Sequence, residues 1–185
     1  SEYLWKVYYH IKDLPQVINT KSGFIYNANH SPFKSTGESE NPKQEDYSKT
    51  MNYETYDNNR STRIINLINS YNTIDYERFK KIKYDNKLPK PLNYSFLDIN
   101  VLWEIDPVKY PKLSDVILNI QNWDMSTNSN SIGAANYGVL YYLLINKFKD
   151  IDNKKIFSEP EIIKLLSSTK KYLLKNFDTV DIELG

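Results

Sequence analysis

A mainly α fold with a short β segment at its start (α+β) is what this 185-residue sequence predicts. Two observations predict it. Residues 1–28 alternate apolar and polar side chains around turn chemistry, the pattern of half-buried strands. From residue 58 onward, apolar residues recur at three- and four-residue spacing behind helix-start residues. With 40% hydrophobic residues, the chain has enough apolar surface for a substantial core. The expected organisation is one module over 1–185, with a β segment over 1–30, a long polar loop over 31–58 and a helical region over 59–185.

The first strand is expected in YLWKVYYH and the second in GFIYN, with DLPQVINTKSG turning the chain between them. The second run stops abruptly. In SGFIYNANHSPF, residues 22–33, Phe24, Ile25 and Tyr26 run into two asparagines, a histidine and Ser31-Pro32, which cannot extend a central ladder. That strand end presents polar groups. Residues 34–58 are polar, sprinkled with aromatics and without a period, so they read as a functional cover or an ordered wrap.

Helices follow. In NNRSTRIINLINSY, Ile64, Ile65, Leu67, Ile68 and Tyr71 share a face. TIDYERFKKIKYD places Ile74, Phe79 and Ile82 in a stripe behind a Thr73 N-cap, and LSDVILNIQNW starts behind Ser114. SIGAANYGVLYYLLINKF is apolar nearly all round and is expected to be the central helix. SEPEIIKLLSSTKKYLL opens with Ser158 and Glu161 at capping-box spacing, with Pro160 in the first turn where its missing N–H costs nothing.

Composition excludes several functions. Twenty-four Lys and Arg against 23 Asp and Glu leave a net charge of +1, so no field favours nucleic acid or an anionic membrane. No apolar run is long enough to span a bilayer, and SEYLWKVYYH lacks the shape of a signal peptide. Without cysteine and with only His10 and His30, the chain offers no disulfide, thiolate site or histidine metal cluster. There is no GxSxG elbow for a serine nucleophile and no phosphate loop. Glu104 with Asp106 and Asp178 with Asp181 have the spacing of ordinary helix ends and solvated turns, and FKKIKYDNK reads as a solvated helix face. Local chemistry alone describes an α-rich domain.

LPQVINTKSGFIYNANHSPF, followed by NNRSTRIINLI, resembles the penicillin acylase (penicillin amidase) family of N-terminal-nucleophile hydrolases, in the β-chain downstream of the nucleophile. The TIDYERFKKI helix, LSDVILNIQNWD with its Trp123-Asp124 ending, and the small-residue helix SIGAANYGVL follow in the family's order. Together they extend the likeness over residues 10–148. Asn19-Thr20 stands where Asn-Pro is commoner, and His30 where many members carry another asparagine. The resemblance implies the helical part of an αββα acylase that hydrolyses an N-acyl amide bond in a penicillin, an acyl-homoserine lactone or a related compound.

In that family the nucleophile is a Ser, Thr or Cys exposed by self-cleavage, with its own α-amine as base. An amine with an unperturbed pKa of about 7.7–8 suits that task. SEYLWKV does not resemble that new N-terminus, so Ser1 is expected to be a boundary residue and the nucleophile to lie outside this chain. Asn29 matches the family's oxyanion-hole asparagine: an amide NH₂ on a rigid support can stabilise the oxygen of a tetrahedral intermediate. Arg60 matches the arginine close to it, with Arg63 as the alternative. Phe24, Tyr26 and Asn27 either line the acyl pocket or pack, packing being the expectation, and His30 is expected to bond locally.

The same resemblance implies the remainder of the acylase α- and β-chains as partners, an N-acyl small molecule as substrate, and a periplasmic or secreted location. No cofactor is expected; a calcium ion in the complete enzyme has no support in this segment. Strand edges left open in residues 1–28 would allow the isolated chain to dimerise. A non-catalytic helical binding module with a Tyr-rich face, or a degenerate acylase scaffold, are the competing readings.

Overall fold

A computed structural model describes residues 8–148 and 154–185. The fold is mainly helical with a minimal sheet: α1 (Asn59–Asn69), α2 (Tyr76–Lys83), β1 (Leu97–Asp98), α3 (Ser114–Gln121), α4 (Ile132–Phe148), β2 (Lys155–Ile156) and α5 (Glu159–Phe177). The chain divides into two compact units, Ser1–Ser61 and Thr62–Gly185.

The β content lies elsewhere than expected. Most of the first expected strand, residues 3–7 of YLWKVYYH, lies outside the described residues, and Tyr8–His10 form no ladder. GFIYN is not a strand either. The Phe24 carbonyl accepts from the Thr36 hydroxyl at 2.7 Å and the Thr20 hydroxyl at 3.1 Å, and the Tyr26 N–H donates to Ser35 O at 2.9 Å. Side-chain hydroxyls thus satisfy a backbone group that a neighbouring strand would otherwise bond. β1 and β2 instead form a parallel pair within the second unit, Leu97 opposite Lys155 and Asp98 opposite Ile156.

The polar stretch after Pro32 is an ordered wrap. Short 3₁₀ turns occur at Pro32–Lys34, Glu38–Glu40, Gln44–Asp46 and Lys49–Met51. Asn41 clips the wrap to itself, its Oδ1 accepting from the N–H groups of Ser35 at 2.7 Å and Thr36 at 3.0 Å. Phe33 packs against Tyr47 and Tyr53 with ring centroids 5.7 and 5.8 Å apart. The aromatics in this polar segment therefore form a small cluster of their own.

In the second unit α3, α4 and α5 pack on one another. Val116, Ile117 and Ile120 from α3, Leu140 and Leu144 from α4, and Ile162, Leu166 and Leu173 from α5 are fully shut from solvent. Each stabilises the fold by about 1.5–3 kcal/mol relative to exposure. α4, apolar around most of its circumference, is the helix with partners on both sides. Its buried Asn136 donates from Nδ2 to Val180 O at 2.7 Å, tying the C-terminal tail to the bundle.

Two helix starts differ from expectation. Asp75, not Thr73, caps α2, because its Oδ1 accepts from the Arg78 N–H at 2.8 Å, three residues on. Ser114 is the first residue of α3, and its hydroxyl donates to Pro111 O at 3.1 Å. The expected α2 stripe is also not core, since Ile74 and Phe79 are exposed. No helix among the described residues is long and apolar enough to cross a membrane.

The α5 capping box forms as its spacing requires, with the Ser158 N–H donating to Glu161 Oε2 at 2.9 Å. Lys155, whose Nζ donates to Glu161 Oε1 at 2.7 Å, and then the Ser158 donors hold the Glu161 carboxyl down at about 2, below its ordinary 4.5. Because the folded value is depressed, the stabilisation is complete above pH 4.5 and is lost as pH falls toward 2. A carboxylate titration by NMR is expected to show a Glu161 midpoint near 2; a midpoint at 4.5 would mean that the box does not hold the group.

Candidate active site around Asn29

The site belongs to the first unit and is built from a turn and a helix start. The backbone bends at Ala28–His30, and Asn29 takes a left-handed conformation with φ 54°. Asparagine tolerates that region better than most residues. The turn is closed locally: Asn27 Oδ1 accepts from the Asn29 N–H at 2.8 Å, an Asx turn in which Asn27 is the structural member. Ala28 and His30 on either side are buried, whereas Asn29 itself is exposed.

His30 secures the inner side of the turn. Its Nδ1 accepts from the Ala28 N–H at 3.1 Å, so Nε2 carries the proton and donates to Lys34 O at 2.9 Å. Tyr26 stacks on the imidazole at 4.7 Å between centroids. Burial, with the Asp57 carboxylate adding to it, pushes the Tyr26 hydroxyl up to about 12. Both rings are engaged in local structure, as their polar atoms and stacking require.

Arg60 in the first turn of α1 reaches back to the turn. Its Nη2 donates to Asn29 Oδ1 at 3.0 Å and to Ala28 O at 3.2 Å. A guanidinium can only donate, so the Asn29 atom facing it is the oxygen, and the amide nitrogen faces away. That Nδ2 has no hydrogen-bond partner among the described residues. A cation in a helix's first turn is electrostatically unfavourable by about 0.3–1 kcal/mol. Arg60 is therefore placed against the helix's own preference, as groups serving a site commonly are.

Arg63, the alternative, is occupied. Its Nε and Nη2 donate to the two carboxylate oxygens of Asp85 at 2.8 and 2.7 Å, a bidentate pair that holds the Asp85 carboxyl below its usual range. This pair spans α1 and the end of the α2 segment, within the second unit.

One participant was not read from the sequence. Asn58, just ahead of α1, caps the helix through Oδ1, which accepts from the Ser61 N–H at 2.9 Å. Its Nδ2 donates to Ala28 O at 2.8 Å and Asn29 O at 2.9 Å. The N-x-x-S spacing of Asn58 and buried Ser61 carries the capping signal. Nothing local signals the second role, because its acceptors lie 29 and 30 residues away.

Chemically, the arrangement offers one amide N–H₂ donor on an exposed residue of a braced turn, beside a guanidinium that polarises it. Such a donor can stabilise negative charge developing on an oxygen. Among the described residues no cluster of three or more His, Cys, Asp or Glu could hold a metal ion.

A family model described as penicillin amidase matches residues 1–181, a span wider than the motifs read from the sequence. No curated protein matches the chain. The chain belongs to the penicillin amidase family.

Proposed function

We propose that this member of the penicillin amidase family supplies the oxyanion hole of an N-acyl amidohydrolase, with Asn29 as the donor and Arg60 as the group that orients it. The observation carrying this reading is the Arg60 Nη2 to Asn29 Oδ1 bond, which leaves the amide nitrogen facing away from the guanidinium and without a hydrogen-bond partner among the described residues. The nucleophile is supplied from outside residues 1–185, by the remainder of the acylase, in a periplasmic or secreted enzyme.

In the reaction, the nucleophile attacks the carbonyl carbon of the N-acyl amide and the π electrons move onto the carbonyl oxygen. The Asn29 N–H donates to that oxygen. Collapse expels the amine, which takes the proton that the nucleophile passed to its own α-amine on attack, and water then releases the acid from the acyl-enzyme. Arg60 strengthens the donor twice: by holding its orientation, and by placing positive charge beside the developing oxyanion.

The test uses the matured enzyme that carries this chain and an N-acyl chromogenic substrate. Arg60→Lys is expected to lower kcat about tenfold with KM little changed, since one charge-assisted hydrogen bond and its fixed direction are lost. The chain of residues 1–185 alone is expected to turn over nothing. Turnover by this chain alone would overturn the external nucleophile, and an unchanged kcat in Arg60→Lys would overturn the orienting role.

A further inference from the structure

We propose that Asn58 is a positioning residue for the oxyanion donor, setting the backbone of Asn29 from the start of α1; this rests on the oxyanion reading of Asn29. The two carbonyls that Asn58 Nδ2 holds, Ala28 O at 2.8 Å and Asn29 O at 2.9 Å, belong to the two peptide planes flanking the Asn29 Cα. The φ and ψ of Asn29 are the rotations between those planes. A group bonded to both planes therefore restrains both angles. It holds Asn29 at φ 54°, in the left-handed region that side chains other than glycine seldom adopt. With the backbone set, the direction of Cβ is set, and Arg60 has only the side-chain torsions left to fix.

Asn58 is suited to this because all of its polar atoms are engaged. Oδ1 receives the Ser61 N–H, its own N–H donates to Ser61 Oγ at 3.0 Å, and its carbonyl accepts from the Ser61 hydroxyl at 2.8 Å. The amide orientation follows, because the reverse would set an oxygen against two carbonyls. The residue thus couples α1's first turn rigidly to the turn that carries the donor. Ordinary capping needs only an acceptor, which Asp, Ser or Thr supplies equally well. The NH₂ is what asparagine adds.

That difference supplies the experiment. In the matured enzyme, Asn58→Asp retains the cap oxygen but replaces the donor by an acceptor. It is expected to lower kcat about tenfold at little-changed KM, and to lower the melting temperature as well, because the new oxygen faces the two carbonyls that the amide held. In the Asn29→Ala background the same substitution is expected to cost no further turnover, because the donor it positions is gone. Should Asn58→Asp fail to mature, Asn58→Ser, also a capping residue without the donor, is expected to show the same pattern. An unchanged kcat in a matured Asn58 variant, beside a large loss in Asn29→Ala, would overturn the positioning role and leave the oxyanion reading standing. A full loss in the Asn29→Ala background would also overturn it, since Asn58 would then act independently of Asn29. If Asn29→Ala alone keeps its kcat, the oxyanion reading fails and the positioning role with it.

Discussion

Asn29→Ala is expected to lower kcat of the matured enzyme by about two to three orders of magnitude, equivalent to about 2.7–4 kcal/mol, the usual size of one lost oxyanion donor. KM should move little. The charge that the Asn29 amide is proposed to meet exists only as the tetrahedral intermediate forms, so its removal penalises the transition state and spares ground-state binding. Maturation has to be verified by gel for each variant, because a precursor that fails to self-cleave would mimic a dead site.

Asn27→Ala is the informative neighbour. Its Oδ1 accepts the Asn29 N–H at 2.8 Å, so its loss loosens the turn without removing a donor from the site. A much smaller fall in kcat is expected there. If matured Asn27→Ala loses its turnover while Asn29→Ala retains most of it, the oxyanion role belongs to Asn27.

The second large effect is on stability and concerns α4. An alanine at Gly133 would put its Cβ 2.4 Å from Trp123 Cβ, 2.7 Å from Asn119 O and 2.7 Å from Trp123 Cγ. None of these is the free end of a flexible side chain, so α4 and the end of α3 must move apart. Gly133→Ala is expected to destabilise the protein by about 2–3 kcal/mol, and to lower Tm by roughly 5–10 °C. Gly138 lies in the same helix with nothing within 4 Å of its would-be Cβ. There alanine removes a glycine from a helix interior, and a gain of about 0.8–1 kcal/mol is expected. Opposite signs in thermal melts of the two variants test the packing of α3 against α4. Destabilisation of similar size at both positions would contradict it.

Much of the helical architecture was legible because its causes are local. Apolar residues three and four apart share a face whatever surrounds them, so the windows of α1, α3, α4 and α5 could be read directly. The Ser158 and Glu161 cap of α5 was legible for the same reason, its two halves being three residues apart. Local signals failed where a neighbour outside the window decided. The Ile74 and Phe79 stripe has the right spacing, yet both side chains are exposed, since a stripe shows which residues share a face and not whether anything covers it. GFIYN has strand composition but bonds to Thr20, Thr36 and Ser35 instead of a ladder. The β1–β2 pair, two residues long on each side, is too short for any period to show.

The candidate site divides along the same line. The sequence by itself determined the residue types and their order: an asparagine-rich turn after an aromatic run, an arginine in the first turn of the next helix, and a penicillin amidase pattern along the chain. It also determined the helix that would carry Arg60, since periodicity and capping act within a few residues. Only the tertiary structure decided that Arg60 Nη2 meets Asn29 Oδ1, that Arg63 is spent on Asp85, and that Asn58 holds the two carbonyls flanking Asn29. It alone separates Gly133 from Gly138, which look alike in the same helix. The physical reason is common to all of these. Hydrogen bonds and steric contacts depend on distances of a few ångströms between groups 10 to 31 residues apart, and those distances exist only once the chain has folded.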